Sequence, residues 1–132
     1  MTEPADIVRE FCAAVSKRDI ELLRPLLADD VVYHNIGMEP TVGIDAALAD
    51  LSGQWATFPE AYEWQVRHLA ADGNVVLVER VDTIGMNGVQ APVPVSGTFE
   101  ISNGKIQRWR DYFDSALVGK MLGGEDTSKL VP

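Results

Sequence analysis

The segment KIQRWRDYF, residues 105–113, decides how the second half of the chain folds. It follows the turn dipeptide Asn103-Gly104 and alternates in a way that predicts a β-strand entered through a tight hairpin turn. This alternation places Trp109, Asp111 and Phe113 on one face of the strand. A carboxylate that shares a face with two large aromatic side chains should be buried, and burying an unpaired charge is energetically unfavourable. Asp111 is therefore the first candidate for a functional residue.

Three upstream segments have the same two-residue period and extend the strand pattern. They are AYEWQVRHLAA (residues 61–71), NVVLVERVDTI (74–84) and VQAPVPVSGTFEIS (89–102), with turn segments DGN and GMNG between them. Together with residues 105–113 they predict a long antiparallel meander. Pro92 and Pro94 cannot donate to a sheet ladder, so we expect an edge or an interrupted pairing around them.

The first half of the chain has helical spacing instead. The segment PADIVREFCAAV (residues 4–15) predicts helix one, and Asp19 is a candidate N-cap of a shorter second helix. This second helix would carry Leu22, Leu23, Leu26 and Leu27, with Pro25 breaking or kinking it. A short strand, VVYHN (31–35), and the loop GMEPTVG (37–43) should precede a third helix from Asp45 to about Thr57.

The end of the chain completes the predicted architecture. Asp114 is expected to cap a last short helix over residues 115–122, and residues 123–132 are expected to form a tail. Helices followed by a curved sheet predict one α+β domain over residues 1–132. We expect the helices to pack on the concave face of a mixed, mainly antiparallel sheet.

Composition and charge restrict the class of protein. The chain has 132 residues, of which 46% are hydrophobic and 23% charged, as in a single globular domain. Its net charge is −9, with 20 acidic and 11 scattered basic residues, so nucleic acid is not an expected partner. One cysteine, Cys12, excludes an internal disulfide. The chain lacks a leader-like N-terminus and a long apolar run, so we expect a cytoplasmic protein without a membrane partner.

Polar side chains recur on faces that are otherwise apolar. In residues 75–84, Arg80 and Asp82 share a face with aliphatic side chains, and Tyr33 and Asn35 share a face of the strand 31–35. A bent sheet covered by helices encloses a pocket lined by the inward side chains of its strands. We therefore expect Tyr33, Asn35, Arg80, Asp82 and Asp111 to meet in one pocket.

These residues carry a resemblance to a known family. Tyr33-His34-Asn35, then Glu79-Arg80-Val81-Asp82, then the segment WRDYFD (residues 109–114) resemble limonene-1,2-epoxide hydrolase in order and in strand position. That family has the cone-shaped fold of the nuclear transport factor 2-like, or SnoaL-like, superfamily. The resemblance covers nearly the whole chain.

The resemblance implies a function and a role for each residue. Asp111, with Tyr33 and Asn35, would position and deprotonate a water molecule. Asp82 would protonate the epoxide oxygen, and Arg80 would bridge the two carboxyl groups. The implied activity is a one-step hydrolysis of a small apolar epoxide, cyclic or terpenoid, to a vicinal diol.

The chemistry explains why these residue types are needed. Opening an epoxide with water requires a base on the water and an acid on the leaving oxygen. Two neighbouring carboxyl groups in an apolar cavity cannot both stay ionised, so one retains a proton while a guanidinium orients both. We expect Trp109, Phe113, Val78 and Ile84 to contact the substrate. No cofactor or metal is expected, because His34 and His68 lack metal-ligand spacing.

Two other functions fit the same pattern. A proton-transfer isomerase or dehydratase could use Asp82 or Asp111 as its base with Tyr33 as an oxyanion donor, although Arg80 argues against a single weakly held base. A non-catalytic ligand-binding module is the other alternative, although an apolar ligand gains nothing from buried carboxylates. The predicted outer sheet face carries Val75, Leu77, Val81 and Thr83, and relatives with this fold commonly dimerise there, so we expect a homodimer.

Overall fold

The computed structural model describes residues 2–132. Within this range the helices are α1 (Pro4–Ser16), α2 (Ile20–Leu23), α3 (Ile44–Thr57) and α4 (Ser115–Leu122), with a 3₁₀ turn at Arg24–Leu26. The strands are β1 (Leu27–Asn35), β2 (Thr41–Val42), β3 (Ala61–Asp72), β4 (Val75–Met86), β5 (Val89–Ser102) and β6 (Lys105–Tyr112). The helices at the start and the strands from residue 61 onward confirm the predicted α+β order.

All six strands form one curved, mixed sheet in the order β2-β1-β6-β5-β4-β3. Strands β3 to β6 pair with antiparallel neighbours and form the predicted meander. Strand β1 lies parallel to β6, and α3 with strands β2 to β5 provides the long connection that a parallel pair requires. This pairing sets Tyr33 opposite Trp109 and Asn35 opposite Asp111. Strands from the first and last thirds of the chain therefore lie side by side, with Tyr33, Asn35 and Asp111 close together.

Helices α1 and α3 cover one face of the sheet and complete the core. Helix α1 packs against β3, β4 and β6, and α3 packs against β1. Their helical periodicity buries Phe11 and Val15 from α1 and Leu51 from α3. Phe11 makes edge-on contacts with three aromatic rings of the sheet, which are Trp64, Phe99 and Trp109. The helices thus close one side of a pocket whose floor is the sheet.

Several local predictions need correction. The second helix ends at Leu23; the residues around Pro25 form a 3₁₀ turn, and Leu27 already belongs to β1. Proline cannot donate an intrahelical hydrogen bond, which explains the early stop. The segment 37–43 is not only a loop, because Thr41–Val42 pairs with β1.

The two caps and the proline-rich strand agree with the sequence patterns. The carboxylate of Asp19 accepts from the Glu21 amide, and that of Asp114 accepts from the Leu117 amide. Strand β5 pairs with β4 along its length but with β6 only from Ser96 onward, so Pro92 and Pro94 lie in a section with one partner. Residues 123–132 contain no helix or strand, yet Val131 packs against the core. No helix within residues 2–132 is long and apolar enough to cross a membrane.

Candidate active site

The sheet register brings the predicted polar residues together. Asn35 on β1, Asp111 on β6 and Gly97 on β5 lie in one row across three neighbouring strands. Arg80 on β4 lies two residues beyond Val78, which pairs with Gly97, so its side chain shares the inward face. Its guanidinium reaches across Gly97 to Asp111 and turns back to Asp82 on its own strand.

Arg80 holds both carboxyl groups through paired hydrogen bonds. Nη1 and Nη2 donate to the two oxygens of Asp111, each at 3.0 Å. Nε and Nη2 donate to the two oxygens of Asp82 at 3.0 and 2.7 Å. This planar, two-sided geometry is available to arginine and not to lysine. One guanidinium therefore fixes the relative position of two carboxyl groups.

This cluster is almost completely removed from solvent. Arg80 is 0% exposed and Asp111 3% exposed, and they are the two charged residues in the described core. Burial raises the pKa of Asp82 to about 6, helped by the negative charge of Asp111, although Arg80 opposes the rise. Burial lowers the pKa of Arg80, but the two carboxylates outweigh it and leave the pKa well above its usual range. Arg80 therefore stays charged while Asp82 is poised to bind or release a proton near neutrality.

Aromatic rings hold the charged cluster and its neighbour in place. The guanidinium carbon of Arg80 lies 3.8 Å from the centre of the Trp64 ring, a cation–π contact. Trp109 stacks on Tyr33 with ring centres 3.8 Å apart and an angle of 13°. These contacts restrict the Arg80 and Tyr33 side chains, and catalysis requires reacting groups that are held in a fixed orientation.

Tyr33 and Asn35 lie beside Asp111, as predicted. The Asn35 Nδ2 group donates to the Tyr33 hydroxyl at 3.1 Å, and the two residues are neighbours on one face of β1. Burial raises the pKa of Tyr33 to about 12, and the charge of Asp111 adds to the rise. Tyr33 is therefore a neutral hydrogen-bond donor at any physiological pH.

The cluster opens into a cavity of about 370 Å³. Its wall includes Tyr33, Asn35, Asp82 and Asp111, and its remaining surface is mostly apolar. The predicted contact residues Ile84 and Phe113 line it, together with Met38, Phe58, Trp64, Val93, Val95 and Val118. A cavity of this size and polarity suits a small, largely apolar molecule.

Two predicted substrate contacts lie elsewhere. Trp109 and Val78 do not line the cavity; they are 0% and 3% exposed and belong to the core. Trp109 stacks on the Tyr33 ring, and it is Tyr33 that lines the cavity. Val78 shares a face with Arg80 and Asp82, but it lies nearer the start of β4 than either, beside Gly97. Sharing a strand face therefore did not guarantee contact with the cavity.

Two further polar residues, Gln54 and Tyr62, belong to the wall and were not predicted from the sequence. The Tyr62 hydroxyl donates to Gln54 Oε1, and Gln54 Nε2 donates to the Tyr33 hydroxyl at 3.0 Å. A signal for both was present in the sequence. Gln54 follows the buried Leu51 by three positions on α3, and Tyr62 shares a strand face with Trp64.

Comparison with known proteins identifies the family. The model of the limonene-1,2-epoxide hydrolase catalytic domain matches residues 2–122. The chain belongs to this family. Among residues 2–132, no three His, Cys, Asp or Glu side chains are grouped so that they could hold a metal ion.

Individual relatives agree with membership of the limonene-1,2-epoxide hydrolase family. The chain is 32% identical over 110 residues to the epoxide hydrolase EphG of Mycobacterium tuberculosis, covering 81% of this chain and 70% of EphG. The structure of a limonene-epoxide-hydrolase-like epoxide hydrolase from M. tuberculosis superposes with a TM-score of 0.80. That comparison has 29% identity and covers 98% of this chain and 96% of the other.

A more distant structure supports the fold alone. A nuclear transport factor 2-like protein of unknown function from Cytophaga hutchinsonii superposes with a TM-score of 0.72 at 20% identity, covering 90% of this chain and 96% of that one. The family and the superfamily fold expected from the sequence are therefore both confirmed.

Gly97 provides the first test of this packing. A Cβ added at Gly97 would lie 2.9 Å from Arg80 Nη1 and 2.9 Å from Asp111 Oδ1, and both groups are buried and cannot move aside freely. We expect Gly97→Ala to lower the free energy of unfolding by about 1–3 kcal/mol, as overpacked cores do. Urea unfolding followed by circular dichroism measures this change.

Gly53→Ala is the matched control for Gly97→Ala. Gly53 lies within α3, where an added Cβ would meet nothing within 4 Å. Alanine is the better helix former, so this variant should gain about 0.5–1 kcal/mol in stability. Equal effects of the two substitutions on stability would show that the absence of a Cβ at Gly97 is not needed to accommodate Arg80 and Asp111.

Proposed function

We propose that this protein is an epoxide hydrolase that adds water to a small apolar epoxide, cyclic or terpenoid, in one step and releases a vicinal diol. The observation that carries the proposal is the Arg80 bridge, which holds two carboxyl groups at the cavity wall through four hydrogen bonds. Family membership supports the same reaction class. The apolar remainder of the wall favours a substrate with few polar groups.

In this proposal Asp111, Tyr33 and Asn35 hold the attacking water. Asn35 Nδ2 faces Tyr33, which leaves Asn35 Oδ1 as an acceptor. The water would donate one proton to Asp111 and the other to Asn35 Oδ1, and would accept from the Tyr33 hydroxyl. One lone pair then remains for attack on the epoxide carbon. Asp111 removes the proton as the new carbon–oxygen bond forms.

Asp82 supplies the acid in the same step. As the ring carbon–oxygen bond breaks, the leaving oxygen takes the proton of Asp82 and becomes the second hydroxyl of the diol. Asp82 ends the step ionised and Asp111 protonated, so one proton returns from Asp111 to Asp82 before the next turnover. Arg80 stabilises the single negative charge in either state, because it bonds both carboxyl groups.

Isotope labelling tests both the activity and the one-step route. The purified protein, in excess over an epoxide such as limonene oxide or cyclohexene oxide, is allowed a single turnover in H₂¹⁸O. Direct attack by water puts ¹⁸O in the diol during that first turnover, whereas an aspartyl ester would deliver unlabelled oxygen from the protein. The absence of diol from every epoxide in the panel would refute the proposal and favour an isomerase or a ligand-binding module.

The pH dependence of the reaction follows from Asp82. Its pKa is raised to about 6, and the acid role requires the protonated form. We expect kcat/KM to fall as pH rises above about 6, approaching tenfold per unit. A kcat/KM that stays constant between pH 5 and 8 would remove Asp82 from the acid role.

The same shift has a consequence for stability. Because the folded pKa of Asp82 exceeds the ordinary value of 3.8, the folded state binds the proton more tightly than the unfolded state. Its contribution to the free energy of unfolding is therefore complete below about pH 4 and is lost as pH rises through about 6.

We also propose a homodimer formed through the outer face of the sheet. Val75 and Leu77 project from this face of β4 and are 37% and 54% exposed, which is unfavourable for two neighbouring aliphatic side chains. Light scattering after size-exclusion chromatography should give twice the chain mass of 14.4 kDa. Leu77→Glu should reduce it to one chain mass, whereas Val42→Glu, on β2, should not. A single chain mass for the unmodified protein would refute the dimer.

A further inference from the structure

A chain of hydrogen bonds reaches Tyr33 from the opposite wall of the cavity. It begins at Tyr62 on β3, whose hydroxyl donates to Gln54 Oε1. It continues through Gln54 on α3, whose Nε2 donates to the Tyr33 hydroxyl at 3.0 Å. All three side chains line the cavity. None of the steps assigned above to Asp82, Arg80 and Asp111 uses Gln54 or Tyr62.

The donors and acceptors around the Tyr33 hydroxyl indicate what this series of hydrogen bonds does. A phenolic oxygen accepts through its lone pairs and donates one proton. The Tyr33 oxygen accepts from Gln54 Nε2 and from Asn35 Nδ2, so both lone pairs are occupied. Within residues 2–132, the acceptor found for its proton is Asn35 Oδ1 at the long distance of 3.5 Å. A molecule in the cavity is therefore the better acceptor for this proton.

The orientation of the Gln54 amide decides the outcome. If its oxygen faced Tyr33, that oxygen would accept the Tyr33 proton and withdraw it from the cavity. The amide would then donate to Tyr62, a residue that is 5% exposed, and the Tyr62 hydroxyl would lose Gln54 Oε1 as its acceptor. Leaving a buried hydroxyl proton without an acceptor is unfavourable. Tyr62 therefore favours the orientation in which Gln54 donates to Tyr33.

We propose that Gln54, held by Tyr62, is a positioning residue that keeps the Tyr33 hydroxyl proton directed into the cavity. Its effect on catalysis rests on the proposed hydrolysis, in which Tyr33 donates to the attacking water. Its effect on Tyr33 itself does not depend on any reaction. Two kinds of measurement therefore separate the two proposals.

Two substitutions at Gln54 distinguish positioning from support of the fold. In Gln54→Glu, an ionised carboxylate accepts from both tyrosines and captures the Tyr33 proton. In Gln54→Leu, the Tyr33 proton stays free, although Tyr62 loses its partner. At pH 8 we expect Gln54→Glu to lower kcat by about tenfold, the scale of one hydrogen bond, with KM changed less than about twofold. Gln54→Leu should lower kcat less.

A double-mutant cycle shows whether Gln54 acts through Tyr33. In a Tyr33→Phe background, Gln54→Glu should change kcat by less than about twofold, because the proton it would capture is gone. If Gln54 only supports the fold, Gln54→Leu should lower kcat at least as much as Gln54→Glu does. Gln54→Glu should then also cause the same loss of kcat in the Tyr33→Phe background. Either of these results would overturn the proposal.

Carbon NMR gives a test without substrate. With ¹³Cζ-labelled tyrosine, the Tyr33 resonance, assigned by its loss in Tyr33→Phe, should shift in Gln54→Glu, because the carboxylate changes its hydrogen bonding. Gln90→Glu makes the same chemical change at an exposed site on β5 and should leave it unmoved. An unshifted Tyr33 resonance in Gln54→Glu would refute the positioning role even if epoxides are hydrolysed. A shift without any hydrolysis would support it while the proposed function fails.

Discussion

Asp111→Asn should reduce diol formation by about 10³-fold while leaving the fold intact, since a general base contributes about 10²–10⁴-fold. Asparagine has the size of aspartate and keeps one oxygen that can accept from Arg80, but its amide nitrogen cannot accept from the second Arg80 nitrogen, so we expect the same fold with a lower unfolding midpoint. Asparagine also cannot take a proton from water. The charge of Asp111 is also one of the causes that raise the pKa of Asp82. Its removal lowers that pKa, and less Asp82 then remains protonated to act as the acid.

Asp114→Asn is the control for Asp111→Asn, because it makes the same chemical change three residues away. Asp114 is exposed and caps α4, and asparagine caps helices as well as aspartate does. Its kcat and unfolding midpoint should equal those of the unmodified protein. Initial rates measured by chromatography of the diol, with circular dichroism of each variant, make the comparison. Retention of more than a tenth of the activity by Asp111→Asn would remove Asp111 from the role of base.

The sheet was predictable because its signals are local. Alternation along residues 108–113 and the Asn103-Gly104 turn specify a hairpin, since each inward side chain there is apolar or part of the polar cluster. A bulge near Gln107 interrupts the alternation, so that Ile106 and Trp109 are both buried. The end of the second helix and the strand Thr41–Val42 were not predictable to the same degree. Leu27 satisfies both the helical pattern and a buried strand start; the break at Pro25 ends the helix, and the pairing of Leu27 with Ile106 places it in the strand. That contact lies far away in sequence.

Most residues of the site were predictable from the sequence, but how far the cavity extends along each strand was not. Strand alternation correctly put Arg80, Asp82 and Asp111 on inward faces, because a two-residue period leaves no other choice. Alternation does not say how far along a strand the cavity extends, which is why Val78 and Trp109 were wrongly expected in its wall. Gln54 was missed for another reason. A single polar residue on a helix face is common, and its importance depends on the tyrosines that the tertiary fold brings to it.

Arg80→Met should have the largest effect on stability, and the size of this effect should depend on pH. Methionine fills a similar volume but leaves Asp82 and Asp111 facing each other without a cation in a buried site. Removing one partner from a buried ionic cluster typically costs about 3–5 kcal/mol, and we expect a loss of this size at pH 8. Arg80 is one of the influences that lower the pKa of Asp82, so its removal raises that pKa further. At pH 5 protonation of Asp82 then relieves part of the repulsion, and the loss should be smaller.

Urea unfolding of Arg80→Met at pH 5 and pH 8 measures this difference, and Arg9→Met serves as the control. Arg9 is exposed on α1, so the same change in net charge should alter stability by less than about 0.5 kcal/mol at either pH. Arg80→Lys adds a second comparison: it keeps the positive charge but cannot bond both carboxyl groups in pairs. We expect it to recover part of the lost stability at pH 8 and little of the activity, because the acid and the base would no longer be held at a fixed separation. Equal losses for Arg80→Met at the two pH values would mean that the guanidinium contributes packing rather than charge, and its charge could not then oppose the protonation of Asp82.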